Sequence, residues 1–224
     1  MDWSPVWISI KTASLSILVT FFLGIFAAWG VIGMRSSRLK IFWDGVFTLP
    51  LVLPPTVAGF FLLDIFGVQQ PVGKFFLDYF SVKIVFSWPA TVLAAVVMSF
   101  PLMYRSARGA FEQVDENLPQ AARTLGMSEW NVFWNVIFAN ALPGVISGGV
   151  LAFARGLGEF GATAMIAGNI AGRTRTLPMA VYSEVAAGNM DTAYRYAAVI
   201  AAMALAAVAA MNWAGLAAEK KRRR

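Results

Sequence analysis

The chain contains no cysteine and no histidine among its 224 residues, and only 13% of them are charged. The missing cysteines exclude disulfides, thiolate metal sites and iron–sulfur clusters. The missing histidines exclude imidazole proton relays and leave only carboxylates as metal-ligating side chains, so neither a structural metal nor a cofactor is expected. A basic region ahead of the first apolar run is also lacking, because Asp2 is the only charge before Lys11. That run therefore reads as a retained first span rather than a cleaved signal. No GxxxxGK[ST] phosphate loop occurs anywhere, so nucleotide binding through that motif is excluded and this chain is not expected to be an enzyme.

What is present is apolar: 58% of the residues, with a positive mean hydropathy. A hydrocarbon layer of roughly 30 Å takes about 20 helical residues to cross. Five runs meet that length, at about 8–33, 43–66, 84–104, 141–167 and 194–216. Five buried core helices of that kind would leave almost no polar surface for a soluble protein. The expected fold class is therefore all-α: one polytopic membrane domain, residues 1–224, with no linker.

Lys and Arg placement sets the expected orientation. With the N-terminus outside, eleven of the eighteen basic residues fall on the inner side, including the run Lys220 to Arg224, and Arg155 stays within a span. The basic end reads as an anchor at anionic headgroups, not as a nucleic-acid tail. The C-terminus is then cytoplasmic, and so is the polar insert at 105–140.

That insert is too polar for lipid and too short for a domain. It carries helix signals: Asp115 or Asn117 as a cap, Pro119 near the start, and Gly126 as a stop after Ala121-Ala122-Arg123-Thr124-Leu125. A short rigid helix pushed out of a membrane chain reads as a handle for a soluble partner.

Two spans carry unusual residues. Pro50, Pro54 and Pro55 interrupt the second, where each proline removes a backbone donor and crowds the preceding turn. Broken backbone at membrane depth belongs against protein or a water-filled cavity, although a plain packing kink is an equal alternative. In the fourth, Gly144, Gly148, Ala152 and Gly156 recur every four residues and allow close helix approach. Arg155 and Glu159 stand four apart beside them. A charge at that depth is costly and needs a partner. Two readings stand: an ion pair that serves packing, or a pair lining an anion pathway together with hydroxyls such as Ser147 and Thr163. The first span, rich in Leu, Ile, Val and aromatics, reads as a lipid-facing peripheral helix. Segment 67–83 reads as an outer loop, and 177–187 as a short helix at the outer face.

At these residues the chain resembles the inner-membrane permease subunits of type I ABC importers, and within them the molybdate branch. The family signature Glu-Ala-Ala, three residues, Gly appears as Gln120-Ala121-Ala122-Arg123-Thr124-Leu125-Gly126, with Gln120 in place of Glu. Its later Ile-x-Leu-Pro falls on Val136-Ile137-Phe138-Ala139, and a Leu-Pro follows only at Leu142-Pro143. LPLVLPPTVAG at 49–59, MSFPLMYRSAR at 98–108, VLAFARGLGEFGAT at 150–163 and the run RTRTLP at 173–178 are similar to the molybdate branch as well.

The resemblance implies a homodimer joined to two cytosolic ATP-binding subunits and an external oxyanion-binding protein. Coupling would pass through Gln120, Ala121, Ala122 and Gly126. Tungstate or sulfate are alternative cargoes. Rivals of another class are a stand-alone secondary transporter or channel and an intramembrane enzyme. The first predicts internal repeats, which five unequal spans do not show, and the second needs a paired catalytic constellation that is absent.

Overall fold

The structure, a computed structural model, describes residues 2–222 of the backbone, with side chains of residues 211–212 and 214–222 outside the description. The basic run at 220–224 therefore lies outside the described side chains. Among the described residues the chain is all helix with no strand. The elements are α1 (Ser4–Ile32), α2 (Ser37–Val52), α3 (Pro55–Phe66), α4 (Pro71–Phe80), α5 (Trp88–Glu112), α6 (Asn117–Thr124) and α7 (Glu129–Val132). A π-helical segment (Phe133–Phe138) then leads without a break into α8 (Ala139–Leu157), followed by α9 (Gly161–Ile166), α10 (Leu177–Ala186) and α11 (Met190–Arg222).

Several boundaries differ from the hydropathy reading, each for a local reason. The second apolar run is two helices, α2 and α3, that meet at 112°. Pro50 is accommodated inside α2, and the break falls at Leu53 and Pro54, both extended. A residue before proline is pushed out of the helical region, while Pro55 suits the first turn of α3. Segment 67–83 is not all loop: Pro71 opens α4 rather than breaking it, and four of the helix's ten residues are aromatic. The fourth run begins far earlier than residue 141. Helix is continuous from Glu129 to Leu157 and stops at Gly158, so the last part of the expected span is a turn plus the short α9.

At the centre stands α5, which packs against α1, α2, α8 and α9. In lipid, leucine gains nothing by leaving hydrocarbon, so helices cohere through close backbone approach and hydrogen bonds between them. Both devices operate here. Toward the bundle, α1 turns a buried stripe that includes Ser9, Thr12, Ala13, Ser16 and Thr20, with Gly24 and Ala28 beyond; Ser9 accepts from the Leu177 N–H of α10 at 2.7 Å. Thr12 and Thr91 share a hydroxyl bond of 2.9 Å, and Thr20 and Ser99 one of 3.2 Å. Leu15, Leu18 and Phe22 face outward. The first helix is thus a packing helix with one lipid face, not a purely peripheral one.

The glycine ladder of α8 meets α5 within the same chain. A Cβ on Gly144 would lie 2.8 Å from that of Ala110, and one on Gly148 would collide with Ser106. The broken span is docked in the same manner. A Cβ on Gly59 would come within 2.6 Å of the Ala162 backbone, and one on Gly161 within 2.8 Å of Pro55, so α3 and α9 pack almost backbone to backbone.

Candidate functional site

The expected coupling residues lie on and after α6. That helix ends on paired capping bonds: Met127 N–H donates to the Ala122 carbonyl (3.1 Å) and Gly126 N–H to that of Arg123 (2.9 Å). Gly126 has φ +81°, the left-handed conformation that this closure requires and glycine adopts freely. Ser128 then caps α7 by accepting from Asn131 N–H. Arg123 spans the turn and donates twice to Glu129, at 2.6 and 3.0 Å. Those bonds favour the charged guanidinium and push its pKa further up. The result is a stiff elbow joining α6 to the long helix.

Within this elbow the four residues divide. Gln120, Ala121 and Gly126 are exposed, whereas Ala122 is 6% exposed and is the residue by which α6 seats on its own chain. The outward face carries Leu118, Ala121 and Leu125, at i, i+3 and i+7. Leu125, 83% exposed, is the residue the sequence pattern underweighted. Its position between a polar arginine-threonine pair and a glycine made it read only as part of the helix end.

The interior residues Arg155, Glu159, Thr163 and Ser147 are not one cluster. Arg155 donates to Glu159 at 2.6 Å. Glu159 is 2% exposed, and its other oxygen accepts the Ala162 N–H at 2.8 Å. Both carboxylate oxygens are therefore engaged, and the carboxylate fixes the start of α9 as well as balancing Arg155. Through Gly161 this turn abuts Pro55, so the α2–α3 break and the α8–α9 break meet each other. Pro54 lies in that break, while Pro50 stays within α2. Thr163 is buried on α9. Ser147 stands eight residues before Arg155, about 12 Å along α8, with its hydroxyl donated to the Pro143 carbonyl at 3.0 Å.

A second charged group escaped the sequence reading. Asp44 of α2 accepts bonds from Tyr104 and Arg108 of α5, and Arg108 also donates to Glu112 at 2.8 Å. Asp44 and Arg108 are 64 residues apart, and no local pattern joins them. Their pairing ties α2 to α5 at the end of the bundle nearest the elbow. Among the described residues, no group of three or more His, Cys, Asp or Glu side chains is placed to hold a metal ion.

Residues 20–224 match the family model described as binding-protein-dependent transport system inner membrane component. The chain is 44% identical over 213 residues to the molybdenum transport system permease protein ModB of Escherichia coli strain K12, covering 95% of this chain and 93% of that protein. It is 41% identical to the putative molybdenum transport system permease protein YvgM of Bacillus subtilis strain 168, covering 87% and 85%. In fold it is similar to a chain of the MetNI methionine ABC transporter in an inward-facing conformation. The TM-score there is 0.74 at 15% identity, over 95% of this chain and 94% of that one.

The double engagement of Glu159 yields a graded expectation. Glu159→Gln keeps an acceptor for the Ala162 N–H and should cost about 1 kcal/mol, whereas Glu159→Ala loses both bonds and should cost about 3 kcal/mol. Thermal unfolding in detergent measures the two side by side. Equal losses would show that the bond to α9 contributes nothing.

Proposed function

Since the chain belongs to the binding-protein-dependent transport system inner membrane component family, we propose that it carries molybdate across the inner membrane as the permease subunit of an ABC importer. The near-full-length identity to molybdenum permeases supports the cargo. The subunit works with a second copy of itself, two cytosolic ATP-binding subunits and an external oxyanion-binding protein. Its N-terminus lies outside and its C-terminus inside, as the basic-residue distribution favours.

Coupling in this reading passes through the elbow. An apolar side chain held out as far as Leu125 on a rigid helix suits insertion into a groove of the ATP-binding subunit. Gln120 and Ala121 line the contact, Ala122 anchors the helix from behind, and Gly126 sets the angle. When ATP draws the two partner subunits together, each elbow moves with its partner. The helix that begins at Glu129 carries that motion to the Arg155–Glu159 turn and the paired breaks beyond it. A nucleotide-bound partner that favours one arrangement of these breaks shifts the bundle between its inward-open and outward-open forms. Release demands weak contacts along the way, which agrees with a sparse interior of one arginine and a few hydroxyls, Thr163 and Ser147 among them.

Purified with its ATP-binding subunits and binding protein in proteoliposomes, the wild-type complex should take up molybdate with ATP hydrolysis. Leu125→Asp and Gly126→Val should insert normally yet reduce uptake at least about tenfold, the equivalent of 1.4 kcal/mol or more of lost coupling. Wild-type uptake by an assembled Leu125→Asp complex would sink the docking assignment.

Orientation can be read from single cysteines, since the chain has none of its own. Asp2→Cys should react with an impermeant maleimide from the outside only. Reaction from the cytosolic side alone would reverse the topology and remove the elbow from the cytosol.

The role of Arg155 separates by charge reversal. Its side chain is 28% exposed while bonded to Glu159, so it is not wholly enclosed by the pair. Arg155→Glu combined with Glu159→Arg restores an ion pair, yet should transport poorly if Arg155 contacts the passenger. Full uptake by a stable double variant would assign the pair to packing alone.

A further inference from the structure

The half of α5 nearest the elbow bears two arginines with opposite circumstances. Arg108 is occupied by Asp44 and Glu112. Arg105, three residues earlier, is exposed, and among the described residues no carboxylate pairs with it. It borders two adjoining hollows. One, of about 520 Å³, lies between α5, α6 and α8 and is lined by Ser106, Gln113 and Asn140 among others. The other, of about 300 Å³, lies toward α2 beside Thr48 and is also lined by Asp44 and Glu112, whose carboxylates are both taken up by Arg108. Gly109 borders both hollows, and a Cβ there would meet nothing within 4 Å. The two hollows adjoin along Arg105 and Gly109 and together make a groove beside α5 with charged and polar groups on both sides.

The geometry points to a tetrahedral-oxyanion site in this groove: we propose that Arg105 holds the permeating dianion at the cytoplasmic mouth, with the Ser106 hydroxyl and Gln113 amide as further donors. The inference rests on the oxyanion-permease reading given above and adds a station to it. An unpaired guanidinium attracts a dianion. The groove is far larger than one such ion, so the ion keeps part of its water shell and is held loosely enough to leave. Asn140 contributes little, because its amide donates to the Val136 carbonyl at 2.7 Å. Asp115, at the far edge, is held by Asn117 through bonds from its backbone and side-chain nitrogens, each 2.9 Å. Its carboxylate repels an anion and gives the groove a direction of exit.

Gly109→Cys places a thiol in open space within the groove, and Gly45→Cys places one on α2, where a Cβ also meets nothing. Both are made in the assembled permease–ATPase complex in nanodiscs of zwitterionic lipid and labelled with a neutral maleimide. At a molybdate concentration about twice the dissociation constant, labelling at position 109 should slow about threefold. Chloride at equal ionic strength should not slow it, position 45 should be unaffected, and Arg105→Gln should abolish the protection. Unchanged labelling at 109, or protection that survives Arg105→Gln, overturns the site. Protection by phosphatidylglycerol in the nanodisc with none from molybdate also overturns it, since the groove would then hold a lipid headgroup. Molybdate uptake by the same complex is scored separately. Uptake without protection removes the groove alone, and loss of both removes the cargo assignment with it.

Discussion

Hydrocarbon offers a helix no reward for burying leucine, and this bundle is consequently held wherever two backbones can nearly touch. Gly144 and Gly148 against Ala110 and Ser106, Gly24 against Met103, and Gly59 against Ala162 are among the places where a single added carbon would force helices apart. Hydroxyl pairs between α1 and α5 supplement them. Because α5 takes part in most of these contacts, the positions of α1, α8 and the broken pair α2–α3 all refer back to it. Spending the small residues inside the chain also leaves the larger apolar side chains of α1 and α2 on the outside, where lipid solvates them.

Much of this was legible in the sequence, and the failures have physical causes. Tandem prolines at 54 and 55 foretold a break, because proline forbids the helical conformation at the residue before it. The pairing of Arg155 with Glu159 followed from their spacing of one turn. Gly126 announced the end of α6. The stripe Ser9, Thr12, Ser16 and Thr20 was present but hidden by its neighbours: a hydropathy average over Leu, Ile and Phe drowns four hydroxyls, although their 3–4 spacing marks a face. Pro71 and Gly73 suggested a loop and instead opened a helix: proline suits a first helical turn, and a Cβ at position 73 would collide with the Gly67 carbonyl. What no local pattern could supply was direction. Ala121 and Ala122 look alike in sequence, yet one faces solvent and the other faces the chain, a difference made only when α6 seats on the helix that follows it. The link from Asp44 to Arg108 belongs to the same class.

The two breaks acquire meaning from their contact. A proline break in α2–α3 and a glycine–glutamate break after α8 are each costly at membrane depth, because they free backbone groups that lipid cannot satisfy. Glu159 accepts the Ala162 amide that the second break frees, and close packing of Gly161 on Pro55 shields both from hydrocarbon. Irregular backbone is thereby concentrated in one place inside the bundle, and there a rearrangement meets the fewest intact helical bonds.

Helix runs unbroken from Glu129 to Leu157, 29 residues, which at 1.5 Å per residue is a rod of about 40 Å. One end is fastened to the elbow by the Gly126 closure and the Arg123–Glu129 clasp. The other end is the Glu159 turn. Leverage follows: a tilt of about 5° at the elbow sweeps the far tip through about 3.5 Å over such a length, wider than a hydrogen bond is long. In the coupling proposed above, a slight rotation at the elbow would thus become a displacement of several ångströms at the Glu159 turn.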